Sequence, residues 1–340
     1  MPEIRKDYVT NTWVIFAPAR ARRPGASSDP RRMNDREACP FCEGHEARTP
    51  PEVYALRDRG PKDSPGWRVR CIPNLYPALE PGPLVDESSA PLFARVSGVG
   101  QHEVIIETPD HRGHLGLMTD SQVSDVIRAY RDRARSLSKP GAYRYVLIFK
   151  NHGERAGASV SHPHSQLIAL PIVPQRIREE MDSARAHREA NRGVCVFCRI
   201  VSTEIAEGRR VVTQNRDFLA ISPYAARFPF ETWILPKIHR PAFEGLKDSD
   251  CVSFAGILRD SLGRLHQMLD DPDLNFYIHT APAGTKDDEF HWHLEIAPRL
   301  AELAGFERGT GMFINQVMPE DAASILRGDV RLTGTKDSRS

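Results

Sequence analysis

The sequence is short of several features, and each shortage removes a class of protein. No run of 18 apolar residues occurs in its 340 positions, so no segment reads as a membrane-spanning helix. The opening Met1-Pro-Glu-Ile-Arg-Lys-Asp7 is polar and carries no signal-peptide core, so the expected location is the cytoplasm. An excess of one charge is also missing: 46 Lys and Arg stand against 45 Asp and Glu, a net charge of +1. Such a balance gives no global pull toward nucleic acid or a membrane surface, and neither is an expected partner. Six cysteines are too sparse for a disulfide scaffold and fit a reducing compartment. What is present is a globular composition, 40% hydrophobic and 27% charged, with enough chain for two domains.

The few cysteines are organised. Cys39-Pro-Phe-Cys42 and Cys195-Val-Phe-Cys198 repeat one knuckle. Glu103-Val-Ile-Ile-Glu-Thr-Pro-Asp-His111-Arg112 is answered by Glu231-Thr-Trp-Ile-Leu-Pro-Lys-Ile-His239-Arg240, an offset of 128 (239 − 111). His162-Pro-His164 is answered by His291-Trp-His293, an offset of 129 (291 − 162). Landmarks recurring in one order argue for an internal duplication. Each half then supplies two cysteines and two histidines: Cys39, Cys42, His111 and His162, then Cys195, Cys198, His239 and His291. Thiolate and imidazole in fours suit tetrahedral zinc. A redox reading of C-x2-C would leave the repeated histidines unexplained. Cys71 and Cys251 have no partner at a telling spacing and are expected in the core.

Ser161-His162-Pro163-His164-Ser165-Gln166 is the stretch richest in chemistry. Alternate residues of an extended segment share a face, so His162, His164 and Gln166 are expected to point together as a catalytic row. Imidazole can titrate, ligate a metal or attack phosphorus near neutral pH. Strand-type runs lie at 13–16, 104–106, 145–149, 218–221, 232–235 and 275–278, and helical periodicity at 121–137, 175–190, 248–269 and 320–327. Residues 20–36 and 84–91 have loop composition. The expected fold is α+β, two duplicated halves that are each a mainly antiparallel sheet with flanking helices. The halves are expected at 1–190 and 191–328, with a flexible tail at 329–340.

With these motifs in hand, the chain resembles the galactose-1-phosphate uridylyltransferase family of the histidine-triad superfamily, including its ADP-glucose phosphorylase relatives. The resemblance runs from Asn11-Thr-Trp13-Val-Ile-Phe16 through Asn74-Leu-Tyr-Pro-Ala-Leu79 and the His162–Gln166 row to Gly309-Thr-Gly-Met-Phe-Ile-Asn315. It implies a transferase of carbohydrate (galactose) metabolism working by a ping-pong mechanism. His164 would be the nucleophile that takes the nucleotidyl group, and Gln166 would hydrogen-bond the transferred phosphoryl group. Asn74 would contact base and ribose, and Ser159 and Ser161 would meet the phosphates. Asn315 would belong to the substrate-binding set. Ser165 stands where the bacterial uridylyltransferases usually have glycine. The resemblance further implies a structural zinc in the first half, zinc or iron in the second, and a homodimer. His279, His293 and Glu295 are further possible ligands, because relatives place a second metal near them.

The implied reaction is uridylyl transfer between UDP-glucose and a hexose 1-phosphate, galactose 1-phosphate above all. The Gly305-Phe-Glu-Arg-Gly-Thr-Gly311 run looks more like the ADP-glucose phosphorylases, in which inorganic phosphate accepts AMP, and that is the alternative. Hydrolysis by a histidine-triad enzyme is a third reading, disfavoured by Gln166 in place of a third triad histidine.

Overall fold

A computed structural model describes residues 2–22, 36–83, 93–139, 143–286 and 288–330. Most of the expected 20–36 loop, the 84–91 loop and residues 331–340 of the expected tail lie outside these residues.

Ten strands form one sheet in the order β3 (Tyr54–Arg57), β4 (Trp67–Pro73), β6 (Gln101–Ile106), β8 (His164–Leu170), β7 (Tyr145–His152), β12 (Leu274–His279), β13 (His293–Pro298), β11 (Thr232–Pro236), β10 (Phe218–Ile221) and β9 (Val211–Gln214). Every neighbouring pair in it is antiparallel. The duplication is visible in this order, since β3-β4-β6-β8-β7 is answered from the opposite edge by β9-β10-β11-β13-β12. The halves meet at β7 and β12, where Ile148 faces Ile278 and Lys150 faces Phe276. Adding the sequence offset of 128 to Ile148 and Lys150 gives Phe276 and Ile278, so a two-fold relation maps the joint onto itself.

The expected strand Trp13–Phe16 forms as β2, but outside the large sheet. It pairs with β1 (Glu3–Lys6), which also pairs with β5 (Arg95–Ser97). This small sheet buries Ile4 and leaves Val14, Ile15 and Phe16 exposed.

Two helices cover one face of the large sheet. α1 (Asp120–Leu137) begins with a capping box, in which Thr119 accepts from the Gln122 amide and the Gln122 side chain accepts from Thr119. Its buried stripe of Val123, Val126, Ile127, Tyr130 and Ala134 recurs at helical spacing. α4 (Asp248–Leu269) occupies the corresponding place over the second half. Val123, Ile127, Phe254, Leu258, Val146 and Ile278 share one core with both helices and both halves of the sheet. Cys71 and Cys251 lie fully buried in that core, as expected. On the other face, α2 (Gln175–Ala190) seats Ile177 beside Ile4, Leu170 and Phe290. α3 (Val196–Glu207), which the sequence pattern did not single out, starts at the second cysteine knuckle and packs Phe197 and Val201 on Leu219. Two short helices follow, α5 (Gly305–Thr310) and α6 (Pro319–Arg327). Among the described residues, no helix is long and apolar enough to cross a membrane.

Candidate active site and metal centres

β8 begins at His164, directly after Pro163. Strand alternation sends Ser165, Leu167 and Ala169 toward α1 and the core, and His164 and Gln166 to the opposite face. The expected three-residue row is therefore two residues long. His162 lies in a bend before the proline and turns its ring into the cysteine cluster.

That cluster is assembled as anticipated. His162 Nε2–H donates to the Thr108 carbonyl (2.8 Å), which leaves Nδ1 facing Cys39 at 3.7 Å and Cys42 at 3.6 Å. His111 brings Nδ1 to 3.3 Å from Cys42, and its Nε2 lies 3.3 Å from Ser161 Oγ. All four ligands are buried. Tetrahedral zinc, with bonds to sulfur of ~2.3 Å and to nitrogen of ~2.0 Å, requires S···N separations of about 3.6 Å, so the donors fit. Burial holds the His162 imidazole down at about 4, hence neutral, and pushes the Cys39 thiol up to about 12. A buried thiol such as Cys39 is a poor thiolate without a cation; a divalent ion at the centre would supply the missing charge.

The second half repeats the construction. Cys198 lies 3.6 Å from both His239 Nδ1 and His291 Nδ1, Cys195 lies 3.8 Å from His291 Nδ1, and His291 Nε2–H donates to the Pro236 carbonyl at 3.1 Å. Pro236 is the 128-offset counterpart of Thr108, so the tautomer is set by the same backbone position in both halves. Burial, with His239 alongside, lowers His291 to about 3.

At the candidate nucleophile, His164 Nδ1–H donates to the His162 carbonyl (2.8 Å), which places the lone pair on Nε2. The Phe41 ring stands edge-on to this imidazole at 5.4 Å. Gln166 is oriented by a residue that sequence reasoning missed. His102 Nδ1 accepts from the Ala78 amide (3.0 Å), so its Nε2 carries the proton and donates to Gln166 Oε1 at 2.9 Å. The Gln166 carbonyl is thereby occupied and its NH2 turned away as a donor. Asn74 joins this group: its backbone N–H donates to the His102 carbonyl (2.8 Å), and its side-chain oxygen accepts from Tyr76 (2.9 Å). No motif marked His102, which precedes an apolar strand run and reads from sequence as an edge polar residue. Ser159 and Ser161 are half-buried in the segment that leads to the row. Asn315 is placed differently: its amide bonds the Ala226 carbonyl and the Val317 N–H, and no hydrogen bond ties it to the row.

Among the described residues, two further groups of potential ligands exist. Glu180 of α2 joins His279, His293 and Glu295, with His279 Nδ1 2.9 Å from Glu180 and His293 Nε2 3.5 Å from Glu295. Arg227 pairs with Glu295, and Arg176 stands 3.3 Å from Glu180 and 3.4 Å from Glu295. Burial alone would lower His293 and raise Glu295. Their mutual contact, with Glu180 and Arg227 nearby, reverses both shifts. Glu180 has no sequence spacing to the row, so only the fold reveals it. The other group is His114, His152 and Asp271, at the surface. There the Gly116 N–H donates to His114 Nδ1, which keeps the proton on Nε2 and suits a hydrogen bond to Asp271 better than a metal.

A family model described as galactose-1-phosphate uridyl transferase, N-terminal domain, matches residues 1–174, and one described as a domain of unknown function (DUF4921) matches 107–332. The chain is 39% identical to ADP-glucose phosphorylase of Arabidopsis thaliana, over 98% of this chain and 94% of that protein. It is 32% identical to galactose-1-phosphate uridylyltransferase of Thermotoga maritima, over 96% of this chain and 98% of that one. Its fold superposes on the crystal structure of the Arabidopsis ADP-glucose phosphorylase with bound ADP-glucose at a TM-score of 0.76, with 37% identity, covering 98% and 100% of the two chains. Against a solved uridylyltransferase the TM-score is 0.79 at 30% identity, covering 96% and 97%. The chain belongs to the galactose-1-phosphate uridylyltransferase family of nucleotidyltransferases.

Proposed function

We propose that the chain transfers a nucleotidyl group from a nucleotide sugar to a second phosphate acceptor through His164. The observation that carries this reading is the pairing of two oriented groups at the start of β8: an imidazole with its Nδ1–H held by the His162 carbonyl, and an amide whose oxygen is held by His102. His164 Nε2 attacks the α-phosphorus. An N–P bond forms as the bond to the sugar 1-phosphate breaks, and the His162 carbonyl stabilises the charge that appears on the ring. The Gln166 NH2 donates to a non-bridging oxygen. An acceptor phosphate oxygen then displaces the imidazole. Asn74, beside His102, is assigned to base and ribose, and Ser159 and Ser161 to the phosphates.

Zinc held by Cys39, Cys42, His111 and His162 would be structural, since four protein ligands leave no open position for a water. It would fix His162, whose carbonyl orients the nucleophile. The thiolate-containing second set, Cys195, Cys198, His239 and His291, favours zinc over iron. A division into halves at 190/191, a cytoplasmic location and a homodimer complete the reading. Met312, Ile314 and Met318 are exposed in the C-terminal stretch and offer a dimer surface.

The family reading of donor and acceptor is UDP-glucose and a hexose 1-phosphate. A specific observation favours ADP-glucose and inorganic phosphate as the second reading: the 39% identity over nearly the whole chain to an ADP-glucose phosphorylase. Incubation with each sugar nucleotide, labelled at the α-phosphate and without acceptor, separates them. Acid-labile label from UDP-glucose supports the first and label from ADP-glucose alone the second. Absence of label from both rules out the nucleotidyl-histidine for these donors.

A further inference from the structure

On the helix side of the sheet, directly beneath the His164 row, four polar side chains are sealed from solvent. Relative exposures are 1% for Glu107, 0% for Tyr130, 5% for Lys150 and 0% for Ser165. The Lys150 ammonium lies 2.7 Å from Glu107 Oε2 and 3.1 Å from the His164 carbonyl, the first of β8. The Tyr130 hydroxyl donates to Glu107 Oε1 at 2.9 Å, and Ser165 donates to the same oxygen. Burial alone would raise the Glu107 carboxyl, and Lys150, together with the Ser165 and Tyr130 hydroxyls, more than offsets it, so Glu107 stays ionised.

The second half is an internal control. An offset of 128 places Leu258 and Ile278 at the positions of Tyr130 and Lys150, and an offset of 129 places Leu294 at that of Ser165, all three in the shared core, while Leu235, the 128-offset residue to Glu107, turns to the opposite face beside Phe197 and Leu219. These four are 0% or 1% exposed. The same frame therefore closes with hydrocarbon alone. A buried ion pair adds little net stability, and apolar replacement is often neutral or stabilising. Stability does not account for a polar set kept under one row only.

We infer that Lys150, with Glu107, Tyr130 and Ser165, is a positioning device for the nucleophile, acting through the His164 carbonyl and the Ser165 side chain. Two consecutive residues at the start of β8 are thereby tied to β7, α1 and the segment after β6. The strand cannot rotate or slide there without breaking a charge-assisted bond. Nucleophilic attack demands this, because misplacement of a reacting atom by about 1 Å costs on the order of 100-fold in rate. The inference rests on the assignment of His164 as nucleophile.

The test makes the quartet apolar, as the matching core of the second half is: Glu107→Leu, Tyr130→Leu, Lys150→Ile and Ser165→Leu together in the full chain. The expected variant keeps its thermal midpoint, metal content and sugar-nucleotide affinity, while label appears on His164 at least about 30-fold more slowly. A rate loss at unchanged donor affinity is a readout that a purely structural role would not give. Labelling within twofold of wild type overturns the inference. Should the fourfold variant not fold, Tyr130→Phe with Ser165→Ala removes two hydroxyls and leaves the ion pair. That pair is expected to slow labelling roughly fivefold at unchanged affinity, and an unchanged rate overturns the inference. Failure of the wild-type chain to label at all would instead overturn the assignment of His164.

Discussion

The two halves carry the same frame and opposite chemistry. In each, a histidine donates Nε2–H to the carbonyl of an equivalent residue, Thr108 or Pro236, and offers Nδ1 to two cysteines. In each, the histidine two places on donates Nδ1–H back to the first one's carbonyl. The surroundings then diverge. Gln166 meets the neutral donor His102, whereas Glu295 meets Arg227 and His293. His293 is also enclosed by rings, Phe197 at 4.8 Å and Trp233 at 5.3 Å, and is fully buried. A histidine pair whose first member faces two cysteines is thus a scaffold feature. What sets the first pair apart is an uncharged hydrogen-bonding group at the third position.

The most severe way to break this comparison is to remove each second histidine in turn. His164→Ala is expected to abolish covalent labelling, a loss on the order of 10^4-fold or more in turnover. His293→Ala should leave labelling within a few-fold of wild type and lower thermal stability instead, because it leaves a cavity where a fully buried ring packs against Phe197 and Trp233. Comparable activity losses in both variants would mean that the second row also takes part in the chemistry.

Exchange of the third positions has the next largest effect. Gln166→Glu puts a carboxylate where the amide is proposed to donate to phosphate, and a loss of roughly 10²- to 10³-fold is expected. His102→Ala leaves the amide in place but free to rotate, and should cost roughly 10-fold in the same labelling assay. A larger loss from His102→Ala than from Gln166→Glu would show that His102, rather than the amide, meets the phosphoryl group.

The metal centres sharpen the comparison further. Cys39→Ala and Cys195→Ala should each lower metal content by one equivalent, read by elemental analysis. Only the first is expected to slow labelling, by roughly 10- to 100-fold, since only the first site would anchor the residue whose carbonyl holds His164, the proposed nucleophile. Equal slowing from Cys195→Ala would mean that the joint between β7 and β12 couples the two sites.

Much of this was legible in the sequence, for definite reasons. Both Cys2His2 sets were readable because the duplication showed the same four residue types twice, so the pairing of distant ligands did not depend on one spacing. His164 and Gln166 were readable because strand alternation is a local rule. The limits are equally local. His162 leaves the row because Pro163 breaks the strand that alternation assumed. Glu180 reaches its cluster from a helix and His102 from a neighbouring strand, and no periodicity links either to the row. The polar quartet beneath His164 was invisible for a further reason: Glu107, Tyr130, Lys150 and Ser165 come from four separate segments, and each looks unremarkable alone.

The smallest expected effect concerns acid. His162 and His291 are held neutral, at about 4 and about 3, below the ordinary imidazole value near 6.5. A depressed imidazole means that the folded state binds fewer protons than the unfolded chain between the two values. Stability from each is complete above about 6.5 and is lost as pH falls below it, roughly 1 kcal/mol per site between pH 7.5 and 5.5. In the second half an opposing term exists. His293 is raised, despite burial, by Glu295 and Glu180, so its contribution is fully present below about 6.5 and lost only as pH rises through the folded value. Acidification therefore weakens the first half without compensation and the second half with it. Hydrogen exchange of the metal-free chain at pH 7.5 and 5.5, corrected for intrinsic rates, should show β6 and β8 losing more protection than β11 and β13. Equal losses in the two pairs of strands would mean that the sheet opens as one unit across the β7–β12 joint, and that charge in one half is felt equally in the other.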